Sequence, residues 1–119
     1  MALDGTRVLL VEDEAIIAMT AEDMLEELGC ETAAIASTLA EALEAVGTVG
    51  FDCALLDINL NGAESLPVAA RLRAMGRPFV FTTGYGSAGT GPDYRDVPLV
   101  TKPYQLADLE KAILAALGR

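Results

Sequence analysis

The sequence predicts one α/β domain over residues 1–119, built on a doubly wound, five-stranded parallel sheet with strand order 2-1-3-4-5. Three observations predict this fold class. Short apolar runs alternate with amphipathic segments along the chain. The runs lack period-two alternation, which is typical of strands buried on both faces. Polar residues follow directly after four of the five runs. Such a β-α repeat requires helices on both faces and right-handed crossovers.

The composition narrows the classes of function. Hydrophobic residues make up 52% of the chain and charged residues 22%, which is typical of a compact globular protein. The net charge of -10 argues against direct nucleic-acid binding and favours proteins or cations as partners. Cys30 and Cys53 are expected to be reduced, as in the cytoplasm. Because the chain shows no basic leader and no apolar run near the roughly 20 residues that span a bilayer, we expect neither secretion nor membrane insertion.

Two strand–helix units are predicted in the first half of the chain. Strand 1 is the run 7–11, and the amphipathic segment after it predicts a helix that ends at Gly29. Strand 2 is the weaker pattern 31–36. Thr38 and Glu41 have the spacing of a capping box, which predicts the start of a second helix. The apolar residues expected to be buried in these two helices are Ile17, Ala21, Met24, Leu25, Leu28, Leu39, Leu43 and Val46.

The second half contains three further predicted strands. Strand 3 is the apolar run that ends on Asp57. After the turn at Asn61-Gly62, a helix is expected over 65–75, with Leu66, Ala69 and Leu72 buried. Strand 4 is 79–83 and strand 5 is 99–101. A final helix is expected to bury Leu106, Leu109, Ile113 and Leu117.

Between strands 4 and 5, the sequence predicts a fourth helix that is short or poorly ordered. Residues 84–91 contain four glycines in eight positions. Each glycine costs a helix interior about 1 kcal/mol relative to alanine.

Polar side chains end four of the five predicted strands. Strand 1 ends in Glu12 and Asp13, strand 3 in Asp57, strand 4 in Thr83 and strand 5 in Lys102. In the order 2-1-3-4-5 these four strands are neighbours, so their tips face one crevice, where open α/β sheets bind ligands. Taken singly, each residue has an ordinary structural explanation, such as a helix cap, a turn opener or a surface lysine. Their joint placement favours a site.

The chemistry of these residues indicates phosphoryl transfer. Close carboxylates repel one another by about 4 kcal/mol per pair at an effective dielectric of about 20, unless a cation lies between them. Carboxylates are the hard oxygen ligands that Mg²⁺ prefers, with waters and a phosphoryl group completing its coordination. Lys102 and Thr83 offer a charge and a donor for the oxygens of an anion. The pattern therefore predicts Mg²⁺-assisted transfer onto Asp57 as the nucleophile.

These residues, together with the Lys102-Pro103 dipeptide and in this order and spacing, resemble the receiver domain of bacterial two-component response regulators over essentially the whole chain. The resemblance implies the flavodoxin-like fold and phosphotransfer to Asp57 from a sensor histidine kinase or a phosphotransfer protein. It implies Asp13, Asp57 and the backbone carbonyl of Asn59 as direct Mg²⁺ ligands, with Glu12 acting through water. The groups implied to contact the phosphoryl oxygens are Thr83, Lys102 and the backbone amides near Ile58 and Gly84.

The chain departs from the usual receiver pattern at Leu99, where receivers carry Tyr or Phe three residues before the lysine. Residues 78–85 instead resemble a subgroup marked by Pro-Phe-x-Phe-Ala-Thr-Gly-Tyr, associated with alphaproteobacterial single-domain regulators, with Thr82 in place of Ala. The departure puts the aromatic-switch mechanism in doubt. We instead expect phosphorylation to order residues 84–98 and to remodel a surface with three candidate partner contacts, Tyr85, Tyr94 and Tyr104.

We expect a stand-alone receiver, a monomer or weak homodimer, that switches interactions with an unknown downstream protein and has no separate enzymatic output beyond its own phosphorylation and dephosphorylation. One alternative is a phosphate sink that drains a shared kinase. Another alternative is a phosphatase with an Asp nucleophile. Such enzymes carry an Asp-x-Asp pattern in which the second Asp is a general acid, and Asn59, at the corresponding position here, cannot fill that role. A third alternative is a degenerate receiver that no longer accepts a phosphoryl group. The presence of the full set of site residues argues against it.

Overall fold

The structure is a computed structural model that describes residues 2–84 and 92–119. Within these ranges the strands are β1 (Arg7–Val11), β2 (Glu31–Ala36), β3 (Cys53–Asp57), β4 (Asn59–Leu60), β5 (Ala63–Glu64), β6 (Phe79–Thr83) and β7 (Leu99–Thr101). The α-helices are α1 (Ala15–Glu27), α2 (Leu39–Thr48), α3 (Leu66–Ala74) and α4 (Leu106–Ala116). In the described part of the chain, no helix is both long and apolar enough to cross a bilayer.

The five long strands form one parallel sheet in the order β2-β1-β3-β6-β7. Because β6 and β7 are the fourth and fifth predicted strands, this order confirms the doubly wound topology. Val11 of β1 pairs with Leu56 of β3, and Asp57 pairs with Thr82 of β6. The residues that follow β1 and end β3 therefore lie side by side at one edge of the sheet.

Helices cover both faces of the sheet, and each face has its own apolar core. Successive residues of the buried strand β3 alternate between the two cores: Cys53 and Leu55 face α1 and α4, whereas Ala54 and Leu56 face α2 and α3. The helix residues buried in these cores include Ala21, Leu25, Leu109 and Ile113 on one face and Val46, Ala69 and Leu72 on the other. The predicted apolar stripes are thus confirmed, with residues at their margins, such as Ile17 and Leu43, half-buried against the same cores.

The predicted capping box forms at the start of α2. The Glu41 amide donates to Oγ1 of Thr38 at 3.1 Å. The Glu41 carboxylate reaches back to accept from the Ser37 amide at 2.8 Å, one residue earlier than in the usual box. The first bond satisfies a donor that the helix leaves without an intrahelical partner, and the second satisfies the amide just before the N-cap.

A short hairpin that the sequence did not predict joins β4 to β5. Its two-residue turn, Asn61-Gly62, has positive φ at both positions, 54° and 84°, as a type I′ turn requires. Each strand has only two residues, too few to show the alternation of apolar and polar side chains that predicts a strand. The Asn-Gly pair was therefore the only sign of the hairpin in the sequence. The hairpin projects beside the tip of β3, next to the carboxylates.

The predicted short fourth helix falls largely on residues 85–91, which lie outside the described residues, as does Tyr85. The adjoining described stretch, Pro92–Tyr94, is one turn of 3₁₀ helix. Tyr94 packs edge-to-face on Phe81 at a centroid distance of 5.6 Å, and the guanidinium of Arg73 lies 5.1 Å from its ring centre. Arg73 also forms a bidentate ion pair with Asp96: its Nη2 donates to Oδ1 at 3.0 Å and its Nη1 donates to Oδ2 at 3.3 Å. Residues 92–96 are therefore fixed against β6 and α3.

Candidate functional site

A cleft of about 600 Å³ opens at the carboxyl ends of β1, β3, β6 and β7. Asp13, Asp57, Asn59, Thr83 and Lys102, all predicted from the sequence, line this cleft. The further lining residues are Glu14, Ile17, Ile58, Asn61, Gly62, Glu64 and Gly84. Among these the hairpin residues were missed, because a two-residue strand carries no periodic signal.

Three carboxylates meet at the base of the site. One oxygen from each of Glu12, Asp13 and Asp57 lies within 4.8 Å of the others. Glu12 and Asp57 are buried, whereas Asp13 is half-buried. The pairing of β1 with β3 brings these side chains together, since Glu12 follows Val11 and Asp57 follows Leu56 in the same register.

Lys102 joins two of these carboxylates from the opposite side of the cleft. Its Nζ donates to Oε2 of Glu12 and to Oδ2 of Asp57, both at 2.9 Å. Burial alone would lower the pKa of Lys102, but the bonds to Asp57 and Glu12 outweigh burial and raise it, so the side chain stays charged. Burial raises the pKa of Glu12 to about 7, although the bond from Lys102 opposes this. Both pKa values are raised: the shift of Lys102 favours its charged form, whereas the shift of Glu12 favours its neutral form because burial outweighs the bond from Lys102.

The hairpin is tied to the acidic cluster by backbone amides. The Asn61 amide donates to Oδ2 of Asp13 at 2.9 Å, and the Gly62 amide donates to Oδ1 of Asn59 at 2.8 Å. The Asn59 amide lies 3.2 Å from Oδ1 of Asp57. Asn59 pairs with Glu64 in this hairpin.

Thr83 and the end of β6 form the other wall. Thr83 is buried, and its carbonyl accepts from the Lys102 amide at 2.8 Å, which holds the tips of β6 and β7 together. The Ile58 amide donates to the Thr82 carbonyl at 3.0 Å and belongs to the sheet. Of the amides around Ile58, the Asn59 amide is therefore the one beside the Asp57 carboxylate.

Glu12 and Tyr104 are placed in ways that the sequence did not predict. Besides its bond to Lys102, Glu12 accepts from the Glu14 amide at 3.1 Å, so both of its oxygens are engaged. The prediction that Tyr104 is a partner contact is wrong, because it is only 6% exposed and packs in the core against α4. Few residues separate β7 from α4, and no periodic pattern indicates which way Tyr104 turns.

The donor set fits a hard divalent cation. The cluster supplies three carboxylates, and no histidine or cysteine lines the described part of the cleft. Oxygen-only coordination with vacant positions for water is what Mg²⁺ prefers. Asp13, Asp57 and Asn59 line the cleft, whereas Glu12 is buried and is not among the lining residues.

Comparisons with known proteins agree with this geometry. The family described as response regulator receiver domain matches residues 8–114. The solution structure of SdrG from Sphingomonas melonis Fr1 is 42% identical, with a TM-score of 0.85, over 95% of this chain and 97% of that one. The BeF3-activated conformation of SdrG from Pseudomonas melonis Fr1 is also 42% identical, with a TM-score of 0.81, over 96% of this chain and 98% of that one.

The phyllosphere-induced regulator PhyR of Methylorubrum extorquens is 34% identical over 117 residues, which cover 95% of this chain and 44% of that protein. The chain spans about half the length of the curated relatives it matches. Sequence, three-dimensional shape and the arrangement of acidic residues and lysine at the strand tips thus lead to one assignment: this chain belongs to the response regulator receiver domain family.

Proposed function

We propose that this receiver accepts a phosphoryl group on Asp57, in a Mg²⁺-dependent reaction, from the phosphohistidine of a sensor histidine kinase or a phosphotransfer protein. The observation that carries the proposal is the environment of Asp57. One of its oxygens bonds to Lys102, the other faces the Asn59 amide, and the carboxylates of Glu12 and Asp13 lie within 4.8 Å. These contacts hold the Asp57 carboxylate in place. The Lys102 ammonium and the Asn59 amide beside it can stabilise the negative charge of a phosphoryl group.

In the proposed step, a carboxylate oxygen of Asp57 attacks phosphorus as the phosphorus–nitrogen bond of the donor breaks. The phosphohistidine ring carries a proton on its other nitrogen, so the leaving nitrogen keeps the bonding electrons and the ring departs as neutral imidazole; the product is an acyl phosphate on Asp57. Bound Mg²⁺ supplies charge neutralisation on the phosphoryl oxygens. Asp13, Asp57 and the Asn59 carbonyl would hold the ion, with Glu12 acting through water, since both Glu12 oxygens are engaged.

The remaining residues act on the transferred group. Lys102 can exchange its bond to Asp57 for a charge-assisted bond to a phosphoryl oxygen. Thr83 and Gly84 line the same cleft and offer a hydroxyl and an amide. These three residues already lie at the cleft, so little rearrangement of the protein is needed before transfer.

The proposed output is a switch in protein–protein interactions, with no chemistry beyond the domain's own phosphorylation and dephosphorylation. Thr83 and Lys102, both at the cleft, flank the segment 84–98, and the described end of that segment is fixed by Tyr94 and Asp96. A relative, SdrG, has a structure described as a BeF3-activated conformation. An activated conformation in this relative supports the proposal that phosphorylation changes the conformation of this chain. No observation favours the phosphate sink or the phosphatase.

Intact-mass measurement after incubation with Mg²⁺ and acetyl phosphate tests the proposal. We expect the mass of one phosphoryl group in the unmodified sequence, none in Asp57→Asn, and normal modification of Asp52→Asn, a control on the exposed start of the same strand region. Full modification of Asp57→Asn would assign the acceptor elsewhere. Continuous release of phosphate from a generic phosphate ester would instead support the phosphatase.

A further inference from the structure

Tyr104 and Thr82 place two hydroxyl groups inside the core beneath the candidate site. Thr82 pairs in register with Asp57 across the sheet. Tyr104 follows the Lys102-Pro103 dipeptide and packs between the sheet and α4. Both are buried, Thr82 with 1% and Tyr104 with 6% of its surface exposed. The two residues therefore lie between the strand tips and the start of α4.

The Tyr104 hydroxyl is buried without a hydrogen-bond partner. In the described part of the chain, only Ser65 Oγ shares this condition. Thr82 lies two residues from Val80 on β6, so its side chain is on the face of the sheet where Val80 and Tyr104 share one core. Burial raises the pKa of Tyr104, and the Thr82 side chain lowers it, in agreement with this placement. The two hydroxyl groups are adjacent but are not hydrogen-bonded to each other. Since buried hydroxyls are normally paired, a small movement that joins these two groups would be favourable.

Lys102 can supply that movement. Its ammonium is divided between Glu12 and Asp57, at 2.9 Å from each. A phosphoryl group on Asp57 places new anionic oxygens further out in the cleft, which favours a shift of Lys102 away from Glu12. Tyr104 is two residues further along the same stretch of backbone, and α4 begins two residues after it. A shift of the Lys102 backbone would therefore also move the Tyr104 ring.

We propose that Tyr104 is a positioning residue whose hydroxyl bonds to Thr82 when Asp57 is phosphorylated, and thereby holds Lys102 towards the phosphoryl group. This inference rests on the proposed function. The pairing uses Thr82, which stands where the related subgroup has alanine, and it does not require an aromatic residue at Leu99. The bond links the chemistry at Asp57 to the start of α4.

Two single variants and their combination test the pair. Tyr104→Phe and Thr82→Val each remove one hydroxyl with little change of shape. In the free protein, Tyr104→Phe should leave the urea midpoint unchanged or raised, because it removes an unpaired buried hydroxyl. With Mg²⁺ present, its affinity for beryllofluoride, followed by ¹⁹F NMR, should fall about fivefold to tenfold, as the loss of one net hydrogen bond predicts.

Thr82→Val should weaken beryllofluoride binding by a similar factor, and the double variant should bind no more weakly than either single variant. A purely structural role would lower the urea midpoint of the free protein and would not produce this non-additivity. Ser65→Ala is the matched control, because it removes the other unpaired buried hydroxyl; its affinity should equal that of the unmodified protein.

Unchanged affinity in Tyr104→Phe, or additive losses in the double variant, would overturn the role of Tyr104 while leaving the proposed function intact. Failure of the unmodified protein to bind beryllofluoride or to gain phosphoryl mass would overturn the proposed function, and this inference with it. The two failures are therefore distinguishable in one set of experiments.

Discussion

Lys102 and Asp57, 45 residues apart in the chain, are joined by a hydrogen bond of 2.9 Å between Nζ and Oδ2 in the interior of the strand-tip cleft. The same Nζ also serves Glu12 at 2.9 Å, so one positive charge balances two buried carboxylates. Buried ion pairs add little net stability when complete, but removal of one partner leaves an uncompensated charge. We therefore expect the lysine to stabilise the fold before phosphorylation and to bind the phosphoryl group afterwards.

The first prediction concerns this shared charge. Lys102→Met should lower the free energy of unfolding by about 3–5 kcal/mol in the absence of Mg²⁺, because it leaves Glu12 and Asp57 unbalanced. Added Mg²⁺ should restore part of the loss by taking the place of the ammonium. Urea denaturation with and without the ion measures both effects. Lys111→Met, on an exposed position of α4, is the control, and an equal loss there would remove the special role of Lys102.

The second prediction concerns the divalent cation. A ligand that binds only the native state stabilises it by about 2.7 kcal/mol at a hundredfold excess over Kd. The melting temperature should therefore rise with Mg²⁺ in the unmodified protein and much less in Asp13→Asn. This variant keeps an oxygen that can accept from the Asn61 amide, so the hairpin bond need not be lost. Asp23→Asn, an exposed change in α1, should behave like the unmodified protein; equal rises in all three would exclude Asp13 as a ligand.

The third prediction concerns the hairpin beside the cleft. Gly62 has a φ of 84°, in the left-handed region that costs other residues about 1–2 kcal/mol. Gly62→Ala should therefore destabilise the protein by about that amount, measured by urea denaturation, and should weaken Mg²⁺ binding because the hairpin holds Asn59.

Gly47→Ala is the matched control for Gly62→Ala. Gly47 lies in α2, and a Cβ there meets nothing within 4 Å, so the change should stabilise the protein by about 0.5–1 kcal/mol. The same substitution should thus have opposite signs at the two positions. A loss of stability at both would show that the φ of Gly62 is not the cause.

The strand tips could be predicted from the sequence because apolar runs that end on polar residues mark both the strand and its edge. Asp57 and Lys102 were identified in this way. Their bond, and the burial of Glu12, could not be, since these depend on the relative heights of strands far apart in the chain. The two-residue strands of the hairpin and the inward turn of Tyr104 lack periodicity, so tertiary packing alone determines them.

The last prediction concerns residues 84–98, whose ends lie beside Thr83 and Lys102. A phosphoryl group that binds both residues draws the two ends of the segment inward and favours one arrangement of it. To change a two-state segment from mostly one form to mostly the other, the phosphoryl group must prefer one form by several kcal/mol, which a few charge-assisted hydrogen bonds can supply. Amide hydrogen exchange with beryllofluoride and Mg²⁺ should show protection rising across 84–98 more than in α1 and α2.

The fixed end of this segment offers a variant that separates ordering from binding. Arg73 holds Asp96 through two bonds and lies over the Tyr94 ring, so Arg73→Gln should loosen residues 92–96 without touching the cleft. Beryllofluoride should still bind Arg73→Gln, but the rise in protection across 84–98 should be smaller. Arg71→Gln, on the same helix, is the control. If exchange in this segment is unchanged while ¹⁹F NMR shows Asp57 occupied, then phosphorylation does not act through residues 84–98, and the output surface must lie elsewhere on the domain.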